Sequence, residues 1–207
     1  MKKMMMAVLC LGMLVGCSSK TAASGSEVTI TNPVELNTVT LDMSGYEWLN
    51  DSEPAFTEIT LHESIRIFAE KGTGIVFYGY PGCSFCQRAV PEMNAVAKEM
   101  GISIYYIDTN IAADADHKED YDVLSGYISS VFVDDSFQVP EVIAVKDGEI
   151  VGNHLSLVDD FKITSNDSQM NDEQKKELQD IRQGFTGAGP HRDDMVPYTT
   201  LFRSGID

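Results

Sequence analysis

A layered α/β domain built on a mixed sheet is the fold class this sequence predicts, and three observations carry it. A continuous apolar run at residues 74–78 (GIVFY) reads as a strand buried on both faces, and residues 102–107 (ISIYYI) read as another. Segments with apolar residues at helical spacing alternate with them. Asp147-Gly148, between residues 141–146 and 149–151, is a hairpin signal that adds an antiparallel pair. Helices alternating with strands and ending in a hairpin predict helices packed on a sheet of mixed direction.

Taken in order, residues 27–31 alternate and predict a short strand, while residues 32–53 show no clear period. Thr60-Leu61-His62-Glu63 has the capping-box pattern and opens a helix with Leu61, Ile65 and Phe68 on one face, ending at Gly72. After the strand at 74–78 come Cys83 and Cys86, then a helix to Met100 whose apolar positions are Val90, Met93, Val96/Ala97 and Met100. Gly101 ends that helix. Beyond the strand at 102–107, Tyr121, Leu124 and Ile128 mark a helix inside an acidic stretch. The hairpin follows, and Leu178, Ile181 and Phe185 predict a last helix over 171–185.

The chain ends are set apart. Lys2 and Lys3 precede an apolar run of about a dozen residues, too short to span a ~30 Å hydrocarbon core but suited to a secretory signal. The run closes in Leu14-Val15-Gly16-Cys17, which resembles a bacterial lipoprotein signal; a plain signal peptide with an incidental cysteine is the alternative. On the first reading residues 1–16 are a signal peptide and residues 17–45 carry an acylated Cys17 and a tether, whose SSKTAASGS stretch is flexible. Residues 46–189 form the domain, and residues 190–207 a tail. Within the tail, PYTTLFRS is the translation of CCC TAC ACG ACG CTC TTC CGA TCT, which resembles a sequencing-adapter oligonucleotide. An assembly artefact or an ordinary polar tail both leave it outside the functional argument.

Composition narrows the function. The formal charge is −17, and loss of Lys2 and Lys3 leaves 13 basic against 32 acidic side chains, or −19. Such a surface repels nucleic acid and anionic headgroups, so a membrane link has to be the lipid. Asp114, Asp116, Glu119, Asp120 and Asp122 read as a solvated helix face; they lack the glycine and terminal glutamate of a calcium loop. Of four cysteines, Cys10 lies in the signal and Cys17 is the lipid site, so only Cys83 and Cys86 remain as thiols of the domain. A bridge closing so short a loop removes little entropy from the unfolded chain, so the pair is there for chemistry rather than stapling.

CxxC between a buried strand and a helix, Pro91 five residues past Cys86, and Val139-Pro140 before the hairpin occur here in the order of the thioredoxin fold. The sequence resembles that family over about residues 56–160. With its lipobox and its YGYPGCSFCQRAVP core it is similar to thioredoxin-like lipoproteins of Gram-positive bacteria, often labelled bacteriocin transport accessory proteins. The resemblance implies a thioredoxin-like α/β architecture: a mixed central sheet flanked by helices, a helical insertion near 114–130 before a cis Pro140, and an extra C-terminal helix. It implies that Pro91 kinks the helix bearing the thiols, and that Val139 and Pro140 border the substrate. Two departures stand out. Gly82 and Ser84-Phe85 replace the family's usual neighbours of the cysteines, and the position of its buried aspartate falls on Phe77.

The chemistry expected is dithiol exchange. At a helix N-terminus unpaired N–H groups and the dipole favour thiolate, so Cys83 is expected to be an exposed nucleophile and Cys86, one turn in, a more buried resolving thiol. Tyr80, with Phe85 and Tyr78, either lines a recognition groove or packs in the core. The expected partners are a protein or peptide disulfide, an unidentified redox partner and the membrane through the lipid anchor, with no nucleic acid; the expected protein is a monomer on the extracytoplasmic face of the cell membrane. No cofactor is expected. A zinc site needs four ligands, and the four histidines are isolated. No motif brings a histidine to Cys83 for hydrolase chemistry. The serious rival is a redox-inactive accessory factor for peptide export on the same scaffold.

Overall fold

The computed structural model describes residues 35–112 and 117–185. Strand β1 (Phe56–Glu58) leads to helix α1 (Leu61–Ala69), strand β2 (Gly74–Gly79), helix α2 (Ser84–Met100) and strand β3 (Ile104–Asp108). A short helix α3 (Thr109–Ala112), helix α4 (Lys118–Ile128) and a 3-10 turn (Ser129–Val131) come before strands β4 (Glu141–Lys146) and β5 (Glu149–Leu155) and helix α5 (Asp172–Gly184). The sheet order is β1-β3-β2-β4-β5. The first three strands are parallel, and β4 runs antiparallel to both its neighbours. This is the expected thioredoxin-like architecture, with its helical insertion, its C-terminal helix and a cis Val139-Pro140 peptide.

Strand alternation sorts the core into two layers. Ile75, Phe77, Ile104, Tyr106 and Val142 face α2 and α5, where Cys86, Ala89, Val90, Met93 and Leu178 meet them. Val76, Tyr78, Ile107, Ile143 and Val145 face α1 and α4, meeting Ile65, Phe68, Leu124 and Ile128. Every residue of β2 is buried, as a central strand covered on both faces requires.

Local signals act as their chemistry dictates, with one change. Asp147 (φ 52°) and Gly148 (φ 82°) form the tight hairpin turn, and a Cβ on Gly148 would stand 2.5 Å from the Phe68 carbonyl oxygen. Gly101 is left-handed at φ 66° and closes α2. Thr60 caps α1 by accepting the Glu63 N–H, but the reciprocal half of the box is not made. The Glu63 carboxylate accepts instead from Asn37 and from Arg66.

That contact corrects a boundary. Residues 35–45 were expected in the tether, yet Val39 N–H donates to the Glu58 carbonyl and Met43 is buried in the core. Apolar Leu36, Leu41 and Met43 give the segment something to bury, so the packed domain begins before residue 46. The signal and lipid site at 1–17, the strand expected at 27–31, Asp114, Asp116 and the tail from 190 lie outside the described residues.

Candidate active site

The site is assembled at the junction of β2 and α2. Strand β2 ends at Gly79, where a Cβ would come within 2.6 Å of the Phe77 ring and 3.0 Å of Cys86 Sγ. Only hydrogen fits where the strand passes both groups. The Cys83 N–H donates to the Tyr80 carbonyl, closing the turn that delivers Cys83 to the N-cap of α2. Its sulfur accepts the Cys86 N–H at 3.1 Å, as a capping serine oxygen would. From the other side its thiol points at the Val139 carbonyl, 3.8 Å away. Neither Cys83 nor Cys86 is in a disulfide.

These contacts split the two thiols. Cys83 is lowered to about 7, first by the hydrogen bond from the Cys86 thiol and then by the backbone N–H groups of Cys86 and Phe85, against the opposing effect of burial. The helix amides therefore act as expected, but second to the partner thiol. Cys86 is pushed far up by burial and then by the hydrogen bond and negative charge of Cys83. One expectation is corrected: Cys83 is not exposed. It is 8% accessible against 0% for Cys86, because its own turn and Val139 cover it. The order of accessibility between the two is kept.

The other sequence-derived residues divide. Val139 is half-buried with its carbonyl facing Cys83, and Pro140, next in the chain, is buried. Tyr80 is half-buried, its ring 3.0 Å from where a Gly82 Cβ would be, so it lies over the cysteine turn. Phe85 is 39% exposed beside Cys83. Tyr78 takes no part in a groove with them. It is fully buried on the opposite face of the sheet, edge-on to Phe137. Phe77 is fully buried with Cys86 and stacks on Tyr106. Among the described residues no group of three or more His, Cys, Asp or Glu is placed to hold a metal ion.

Several residues that shape the site carry no signal in the sequence. Gln87 donates to the carbonyls of Pro81 and Gly45 and accepts the Glu47 N–H, clamping the cysteine turn to the N-terminal segment. Arg88 donates to Ser165, Asn166 and Ser168 carbonyls and lies over the Trp48 ring at 4.6 Å. The Tyr46 and Tyr106 hydroxyls meet at 3.1 Å in the cluster that holds Cys86. Each is tied to the site by at least one contact some forty or more residues away in the chain, which no local pattern announces.

No protein-family model matches the chain, and no curated protein does. Among solved structures it is similar to the crystal structure of thioredoxin from Aeropyrum pernix, at 19% identity, covering 47% of this chain and 73% of that one, with a TM-score of 0.35.

Proposed function

We propose that the chain is a thiol–disulfide oxidoreductase acting on protein or peptide disulfides, tethered by lipid on Cys17 to the extracytoplasmic face of the cell membrane. The supporting observation is the pair itself: Cys83 capping a helix, its sulfur hydrogen-bonded by Cys86 and bordered by the Val139 carbonyl. In this reading Cys83 thiolate attacks a substrate disulfide, and Cys86 then attacks Cys83 of the mixed disulfide and releases the reduced product. Val139, Pro140 and Tyr80 border the bound segment. Ser84 and Phe85 bring no positive charge to the thiolate, so the pair acts as a reductase or moderate exchanger. Equilibration with glutathione should give a potential well below the ~−120 mV of the strongest oxidants.

The burial of Cys83 favours a second reading, a redox-inactive factor that binds peptides for export on the same scaffold. Insulin reduction by the full-length protein separates the two. The oxidoreductase accelerates precipitation of the insulin chains, and Cys83→Ser abolishes the effect. A wild-type protein no faster than dithiothreitol alone selects the second reading.

A further inference from the structure

Arg182 is the largest fully buried side chain among the described residues, 1% accessible, in the last turn of α5. Burying a guanidinium costs several kcal/mol unless charge and hydrogen bonds compensate it. Compensation here is partial. One terminal nitrogen donates to the Ala89 carbonyl at 3.0 Å and the other to the Ser156 carbonyl at 3.4 Å, while Nε is buried without a hydrogen-bond partner. Ala89 stands three residues after Cys86 on the same buried face of α2, so the guanidinium is bonded to that helix about one turn beyond the residue that bears the resolving sulfur, and the charge of Cys86 acts on it. The ionisable groups bearing on Arg182 are Glu92 and Cys86 from α2, Glu141 from β4 and His154 from β5. Burial lowers Arg182 to about 9, so it is charged at neutral pH, and burial followed by Arg182 lowers His154 to about 3, so that ring is neutral. The ionisable group acting on Cys86 is Cys83, and the charge of Cys86 is felt in turn by Arg182, Tyr46 and Tyr106; no carboxylate is among them.

Cys86 thus has to ionise in a fully buried site, with the Phe77 ring in the same apolar cluster. We propose that Arg182 is a positioning residue for the resolving step, a buried cation that stabilises the Cys86 thiolate as it attacks the mixed disulfide. The inference rests on the exchange reading above. In that step the Cys86 sulfur forms a bond to Cys83 Sγ and the bond from Cys83 to the substrate sulfur breaks. The electron pair leaves on the substrate sulfur, which takes up the proton that Cys86 gave up. Once Cys83 is in a mixed disulfide its negative charge is gone, and the field of Arg182 acts on Cys86 unopposed by it.

The test uses the full chain with Cys10→Ser and Cys17→Ser, leaving two thiols to react with Ellman's reagent. The first release of thionitrobenzoate reports attack by Cys83, and the second reports resolution by Cys86. Arg182→Met should slow the second phase about tenfold at pH 7 and move its pH midpoint up by about one unit, leaving the first phase within about twofold. Arg182→Lys should restore most of the rate. Glu92→Gln, which removes the opposing charge, should move the midpoint down, and this arm stands if Arg182→Met does not fold. Resolution by Arg182→Met at the wild-type rate, equal slowing by Lys and Met, or an unmoved midpoint in Glu92→Gln would each overturn the proposal. A first phase no faster than that of free cysteine sinks the exchange reading instead.

Discussion

Cys83 and Cys86 differ because one backbone turn gives them opposite surroundings. Cys83 Sγ receives a thiol and two N–H groups, and Cys86 receives burial and the charge of its partner. Removing Cys86 therefore takes away the largest stabiliser of the Cys83 thiolate, and Cys86→Ala should raise the Cys83 midpoint measured by iodoacetamide rate against pH. Gly79 holds this geometry by what it lacks. In Gly79→Ala the new methyl meets the Phe77 ring at 2.6 Å and Cys86 Sγ at 3.0 Å, and both groups are fully buried. Forcing a methyl into a packed site costs about 1–3 kcal/mol. A lower urea midpoint with an unchanged slope is the expected result; unaltered stability would mean that the site relaxes freely.

At the scale of elements, α5 is the piece that brings Arg182 against α2, where it donates to the Ala89 carbonyl. It starts with a closed capping box: the Asn171 side chain accepts the Gln174 N–H, and the Gln174 side chain accepts the Asn171 N–H. Asn171→Ala should cost about 1 kcal/mol, read as a shift in the urea midpoint. Thr60→Ala should cost less, because the Thr60 box is half-made. Elements specified by their own residues were legible in the sequence. Residues 74–78 are apolar throughout and became β2, and Asp147-Gly148 made the hairpin turn. Pro91 sits inside α2 and Pro140 is cis, as the resemblance implied. What was not legible depends on partners far along the chain. Nothing near Glu63 says that Asn37 will take its carboxylate, nothing near Leu41 says that it will pack on the core, and nothing near Arg182 says that it will be buried.

Over the whole molecule, two buried groups give stability opposing pH dependences. Burial raises Glu141 to about 8, although Asn153 donates to it. The folded state then holds a proton that the unfolded state releases, so this contribution is full below about pH 4.5 and is lost as pH rises through 8. Burial lowers His154 to about 3, so its contribution is full above about pH 6.5 and is lost as pH falls through 3. The two slopes oppose each other between about pH 4.5 and 6.5, which predicts a plateau there. Above about 7 the ionisation of Cys83 adds stability, so the fall from 6.5 to 8, roughly 1–2 kcal/mol, is expected in Cys83→Ser. Urea denaturation of Cys83→Ser across that range checks it, and adding Glu141→Gln should flatten the alkaline fall. A Cys83→Ser chain that gains stability from pH 6.5 to 8 would contradict the assignment.

The central claim is that the turn into α2 makes the Cys83 sulfur anionic at neutral pH. The most direct measurement is the ultraviolet absorbance of thiolate against pH in the reduced chain carrying Cys10→Ser and Cys17→Ser. One thiol should ionise with a midpoint of about 7 and disappear from the titration in Cys83→Ser. A first ionisation at about 8.5 or above, the range of an ordinary thiol, would contradict it.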